Sequence, residues 1–291
     1  MLCFVFLLPL TPTSPHLREV RMGRWGSLWA LRNVDESRGD MNTNGQANTP
    51  LLTLTDVVSG YGKMTILNGT TAAIRRGAIT TVIGPNGAGK STMFKTVFGM
   101  LPVRTGKILL DGSDVTNFSP RQMLDAGVAF VPQGRNIFAE LTVKHNLELG
   151  GVALADQSGL LARVEAMMQR FPMLREKANA QAGTLSGGQQ KLLEVARGLL
   201  LDPKLMLIDE PSIGLSPLMV QEVFGILKAL RDKGVTILLI EQNAKQALQL
   251  SDYGLVLEQG QTRIEDTAPN ILADPRIAQL FLGGGLKATA S

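Results

Sequence analysis

The apolar run Ile79-Thr80-Thr81-Val82-Ile83 is followed by Gly84-Pro85-Asn86-Gly87-Ala88-Gly89-Lys90-Ser91. Then comes Thr92 to Phe98, in which Met93 and Val97, and Phe94 and Phe98, pair at helical spacing. The order is strand, glycine loop, helix. The G-x-x-x-x-G-K-[ST] spacing lets backbone N–H groups turn inward on phosphate oxygens, while the helix start adds the positive end of its dipole. Lys90 is expected to reach the β- and γ-phosphates of a nucleotide, and the Ser91 hydroxyl to ligate Mg²⁺. The plainer alternative, a glycine-rich β–α turn with a solvated lysine, does not require the strand and the amphipathic helix that flank this loop.

With 291 residues, 44% of them hydrophobic, the chain can bury one large core, or a core with a satellite unit. No run approaches the roughly 18 consecutive apolar residues of a membrane helix, so a membrane role is expected only through partners. The net charge of +4, from 29 basic and 25 acidic residues, is too small and dispersed for a nucleic-acid face, and no such partner is expected. One cysteine excludes an internal disulfide and fits a reducing compartment.

Residues 1 to 50 differ from the rest. Met1 to Leu10 is apolar, but no positive residue precedes it and no clear small-residue cleavage site follows among Arg18, Arg21, Arg24 and Arg32, so a secretory signal is the weaker reading. We expect a disordered extension or a start assigned too early, with Met41 as the alternative. From Leu51 the pattern is regular: a strand through Leu52, Leu54 and Val57-Val58, a turn at Ser59 to Gly62, and short strands at Ile66-Leu67 and Thr71 to Ile74. These suggest a small antiparallel sheet laid against the nucleotide fold. Tyr61 precedes the loop by about twenty residues, where its ring could stack on a base or simply pack in the turn.

Beyond the loop, Gly106 to Gly112 reads as a strand ending in a turn, Pro120 to Asp125 as a short helix, and Val128 to Val131 as a buried strand ending at Pro132-Gln133. A helical region runs from Leu141 to Leu174, with Leu161, Val164, Met167 and Met168 as a packing stripe. Leu185-Ser186-Gly187-Gly188-Gln189-Gln190 opens a long helix whose two glycines imply close approach of something to the backbone. Leu205 to Glu210 is a continuous apolar strand ending in two carboxylates, as a central parallel strand should be, with the acids at the ligand-binding end of the sheet. A helix over Leu218 to Arg231, a strand at Thr236 to Ile240, and an antiparallel pair at Tyr253 to Leu257 and Gln261 to Ile264 complete the pattern.

Read together, these motifs resemble the ATP-binding-cassette (ABC) ATPases. Gly84 to Ser91 matches the Walker A loop, Gln133 the Q-loop, Leu185 to Gln189 the LSGGQ signature, Leu205 to Glu210 the Walker B strand, and Tyr61 the aromatic A-loop. Val131 to Phe138, Pro211 to Pro217, Ile240 to Ala244 and Leu280 to Gly283 look like the second ATPase of branched-chain amino acid importers. The urea and short-amide importer ATPases share several of these features. The resemblance implies an α/β P-loop NTPase core of the RecA-like type with an antiparallel β-subdomain and an α-helical subdomain. The cassette would span residues 51–283, its helical part about 136–184, with a flexible tail at 284–291.

It also implies ATP and Mg²⁺ as cofactors. The nucleotide would be held by Tyr61, Gly84, Pro85, Asn86, Gly87, Ala88, Gly89, Lys90, Ser91 and Thr92. The metal would be held by Ser91, Gln133 and Asp209, and Glu210 would be the general base, with Gln133 and Gln242 assisting. Two cassettes would close head to tail, so that Ser186, Gly187, Gly188 and Gln189 of one meet the γ-phosphate on the other. The partners implied are transmembrane permease subunits, a second ATPase subunit in a homo- or heterodimer, and indirectly a periplasmic or surface substrate-binding protein, all at the cytoplasmic face of the cell membrane.

Gln242 stands where the family has a switch histidine, and Ser216 where it has a D-loop aspartate; glutamine cannot become cationic near neutral pH. A soluble non-transport ABC ATPase is the competing class. The 96 residues from Lys90 to Ser186 leave no room for the coiled coil of repair proteins, and the chain has one cassette where translation types carry two.

Overall fold

A computed structural model describes residues 50–154, 157–275 and 277. The expectations for residues 1–49 and 278–291, including the alternative start and the tail, lie outside them. The chain enters through two long strands, β1 (Pro50–Tyr61) and β2 (Met64–Arg75), joined by a tight turn. The expected turn at Ser59 to Gly62 is therefore displaced. Gly60 is inside β1, where a Cβ would lie 2.1 Å from the Met64 carbonyl oxygen, so this glycine serves close strand approach. Likewise the two short strands at Ile66-Leu67 and Thr71 to Ile74 are one strand, passing through Gly69 at φ +83.

Next come β3 (Ile79–Ile83), α1 (Lys90–Val97), β4 (Val103–Leu110) and β5 (Ser113–Asp114). They are followed by α2 (Pro120–Asp125) and β6 (Val128–Val131), at the expected boundaries. Ser119 and Gln122 form a capping box ahead of α2, with Pro120 at its first turn, which is why so short a helix starts sharply. β4 returns to pair antiparallel with β1, giving a four-stranded sheet of order β2-β1-β4-β5.

The helical region comprises α3 (Val143–Gly150), α4 (Leu160–Arg170) and α5 (Pro172–Glu176). In α4, Val164 and Met168 are buried, but Leu161 is 66% exposed. The inward stripe starts one residue earlier, at Leu160, which packs with Val164, Met167 and Met168 at the i, i+4, i+7, i+8 spacing of one helix face.

The long helix is α6 (Gly187–Leu199). It is buried on two sides: Val195 and Leu199 pack against the central sheet, while Leu192, Leu193 and Ala196 join the cluster of α3 to α5. β7 (Leu205–Asp209), α7 (Pro217–Arg231), β8 (Thr236–Ile240), α8 (Ala244–Leu250), β9 (Tyr253–Glu258), β10 (Gln261–Thr267) and α9 (Ala268–Ala273) follow. The second sheet has the order β10-β9-β3-β8-β7-β6, parallel except for β10. β3, β7 and β8 are buried along their whole length, as their unbroken apolar runs require. β8 lies between β3 and β7, so the glycine loop and the two carboxylates leave the same end of the sheet one strand apart. Ligands of such sheets bind at these carboxyl ends.

Candidate active site

The glycine loop rises from β3 and turns into α1, with Gly89 at φ +103 immediately before the helix. Pro85, Asn86 and Gly87 are exposed, whereas Ala88 and Gly89 are buried. A Cβ on Gly84 would lie 2.1 Å from the Leu257 carbonyl oxygen, so the start of the loop is pressed onto β9. The β9–β10 turn holds its far side. Gly260 donates its N–H to Ala88 O at 2.9 Å, and its own carbonyl accepts from Asn68 N and from Thr70 Oγ1. One turn glycine thus ties the loop to the antiparallel sheet.

Lys90 Nζ donates to the carbonyls of Gly84 (2.8 Å) and Pro85 (3.1 Å), curling over the loop. Burial lowers the Lys90 pKa, against the opposing pull of Glu210 and Asp209. Thr92 is buried in the first turn of α1, its carbonyl accepting from Thr96 Oγ1. Tyr61, at the end of β1, is 44% exposed and its hydroxyl accepts from Lys95 Nζ at 3.2 Å.

Asp209 ends β7 and is only 4% exposed. Burial pushes its carboxyl above the usual range, opposed first by a hydrogen bond from the Ser91 side chain. Its Oδ1 has no hydrogen-bond partner. A buried carboxylate oxygen without a donor, beside a serine hydroxyl, is the hard oxygen pair that suits Mg²⁺, an ion held by one or two protein oxygens plus phosphate and water. Among the described residues no cluster of three or more His, Cys, Asp or Glu could enclose an ion unaided.

Glu210 follows at φ +47, a left-handed backbone rare outside glycine and asparagine, while its N–H still bonds Ile240 O across to β8. Glu210 Oε2 accepts a 2.7 Å hydrogen bond from Gln133 Nε2. Lys90, Ser91, Asp209, Glu210 and Gln133 therefore converge, from three separate stretches of chain.

Ser186 to Gln189 face elsewhere. Ser186 and Gln189 form a capping box, the serine hydroxyl accepting from Gln189 N–H at 3.3 Å. A Cβ on Gly187 would lie 2.7 Å from Leu215 Cδ2, and one on Gly188 3.1 Å from Met219 Cβ. The close approach implied by the two glycines is met within the chain by the start of α7. Ser216 caps that helix, accepting from Met219 N–H. Gln242 is exposed beside Ser212, Ile213 and Gly214, with which it lines a groove of about 620 Å³.

Glu241 escaped the sequence reading. Only 2% exposed, it accepts from Ser212 N–H (3.0 Å), Ser212 Oγ (2.6 Å) and Gln242 N–H (3.2 Å), joining the segment after Glu210 to the one carrying Gln242. A carboxylate after an apolar strand was its only local signal.

Residues 67–213 match the family described as ABC transporter. The chain belongs to the ABC transporter family. This ABC ATPase is similar to the high-affinity branched-chain amino acid transport ATP-binding protein BraG of Pseudomonas aeruginosa, 39% identical over 234 residues that cover 80% of this chain and 100% of the relative. It is also similar to the probable branched-chain amino acid transport ATP-binding protein LivF of Archaeoglobus fulgidus, at 37% over 77% of this chain and 95% of the relative. The ADP conformation of an ATP-binding cassette of an ABC transporter superposes with a TM-score of 0.72 at 29% identity, covering 80% of this chain and 99% of that one. The α/β cassette fold and ATPase class of this protein are those of its family. No helix among the described residues is long and apolar enough to cross a membrane.

Proposed function

We propose that this ABC ATPase is the energy-coupling subunit of an importer for branched-chain amino acids. It works at the cytoplasmic face of the cell membrane, docks on transmembrane permease subunits, and closes head to tail with a second ATPase subunit. The substrate-binding protein of such an importer is engaged only indirectly. The observation that carries this reading is the likeness to branched-chain amino acid transport ATP-binding proteins over nearly their whole length.

In the reaction, Glu210 takes the proton of the water that attacks the γ-phosphate. Gln133 holds the Glu210 carboxylate and, with Gln242, orients that water. The N–H groups of Gly84 to Ser91 and the Lys90 ammonium bind phosphate, Thr92 continues the helix start behind them, and Tyr61 stacks on the base. Ser91, Asp209 and Gln133 would hold Mg²⁺, which when bound neutralises charge on the β- and γ-phosphate oxygens. Ser186 to Gln189 of the second subunit complete the γ-phosphate site.

The test is co-purification of tagged Glu210→Gln protein from native membranes with ATP present. Two polytopic membrane proteins and a second ATPase are expected, with a binding protein of the same system that takes leucine, isoleucine or valine. A binding protein selective for urea or short amides would change the substrate class, and recovery of soluble partners alone would overturn the transport reading.

A further inference from the structure

Helix α6 buries two opposite charges on one face. The side chains of Lys191 and Glu194 are 7% and 3% exposed and meet at 2.5 Å. Burying such a pair stabilises a protein no better than well-packed apolar side chains of the same volume. Stability alone gives no reason for it. The partners of the pair do. Lys191 Nζ donates to the Gly134 carbonyl at 3.0 Å, and Glu194 Oε1 accepts from the Asn136 N–H at 2.6 Å. Arg197, on the next turn, donates to the Asn136 carbonyl. Three charged side chains at i, i+3 and i+6 therefore grip the backbone of one short segment. From within the turn, the Asn136 amide donates to Pro132 O at 3.1 Å. The segment begins at Gln133, the residue bound to Glu210.

We propose that Lys191 and Glu194 are positioning residues of the ATPase reaction. They lock the Gly134–Asn136 backbone onto α6 and so hold the Gln133 amide at the Glu210 carboxylate. This rests on the reading of Gln133 as a group that acts with Glu210.

The test is a double-mutant cycle. Lys191→Met with Glu194→Leu removes both charges at once and leaves neither unpaired, and the exposed Gly134 lets its carbonyl turn to water. Turnover at saturating ATP, KM for ATP and Tm are measured for this pair variant, for Gln133→Ala, and for the two combined. The pair variant is expected to melt within about 5 °C of the parent and to lose on the order of tenfold in kcat, with KM moved less than about threefold. In the Gln133→Ala background the same changes should add nothing. Losses that multiply in the combined variant, or an unchanged kcat in the pair variant, overturn the proposal and leave the reading of Gln133 standing. An unchanged kcat in Gln133→Ala overturns that reading and the proposal with it. Should the pair variant fail to fold, Lys191→Leu with Glu194→Met, which likewise can neither donate to Gly134 nor accept from Asn136, enters the same cycle with the same outcomes.

Discussion

Gln133 donates from Nε2 to the Glu210 carboxylate at 2.7 Å, joining residues 77 positions apart. The pairing aims a group just past β7 at the reacting end of the nucleotide site. Glu210→Gln is expected to lower turnover on the order of 100-fold or more while ATP binding persists, and Gln242→Ala less than about tenfold. Because residue 242 does not titrate, no limb of the rate–pH profile should disappear in Gln242→Ala. Phosphate release against pH checks both; equal losses in the two variants would count against Glu210 as the base.

Ser186 both caps α6 and is proposed to meet a second subunit's nucleotide, and the two roles separate by substitution. Ser186→Ala should cost about 1 kcal/mol through the lost cap. Ser186→Asp restores an acceptor at a helix N-terminus, and with it the Tm, yet sets a negative charge against phosphate. Its turnover should stay low. Recovery of turnover together with Tm would reduce Ser186 to a cap.

Burial raises the Glu241 carboxyl above its ordinary range, against hydrogen bonds from Ser212 and Gln242 that lower it. As pH rises past about 4.5 the unfolded chain loses this proton first. Until the native carboxyl also ionises, the native state holds more protons, and stability falls with rising pH. Glu241→Gln removes that slope. The Tm of the variant relative to the parent should therefore rise from about pH 4 upward until the raised pKa is passed. Thermal melts across this range check it; a pH-independent difference would sink the linkage argument.

A Cβ on Gly260 would lie 1.8 Å from the Ile66 carbonyl oxygen, at φ +73. Gly260→Ala should cost about 2–4 kcal/mol and raise KM for ATP, since its N–H holds Ala88. Gly87, at φ +82 with nothing within 4 Å, is the comparison: alanine there meets only backbone strain, about 1–2 kcal/mol. Denaturant unfolding of the two variants reads the difference directly.

What the sequence by itself determined is local. The unbroken apolar runs at Ile79–Ile83, Leu205–Asp209 and Thr236–Ile240 are strands buried on both faces, and Ser119 with Gln122 sets the start of α2. The phosphate loop, the paired carboxylates and the glycines of the α6 start could be read because each is a chemical pattern within a few residues. The tertiary structure alone decided that β8 separates β3 from β7, that β4 returns to β1, and that Gly260 braces the loop. It also decided that Ser59 to Tyr61 extends a strand. Strand order and bracing depend on packing between segments far apart in the chain, which no local period encodes. Lys191 and Glu194 show the same limit in one helix turn: lysine and glutamate three residues apart look alike in sequence whether water or the backbone of another loop is their partner, and only the fold around α6 took the water away.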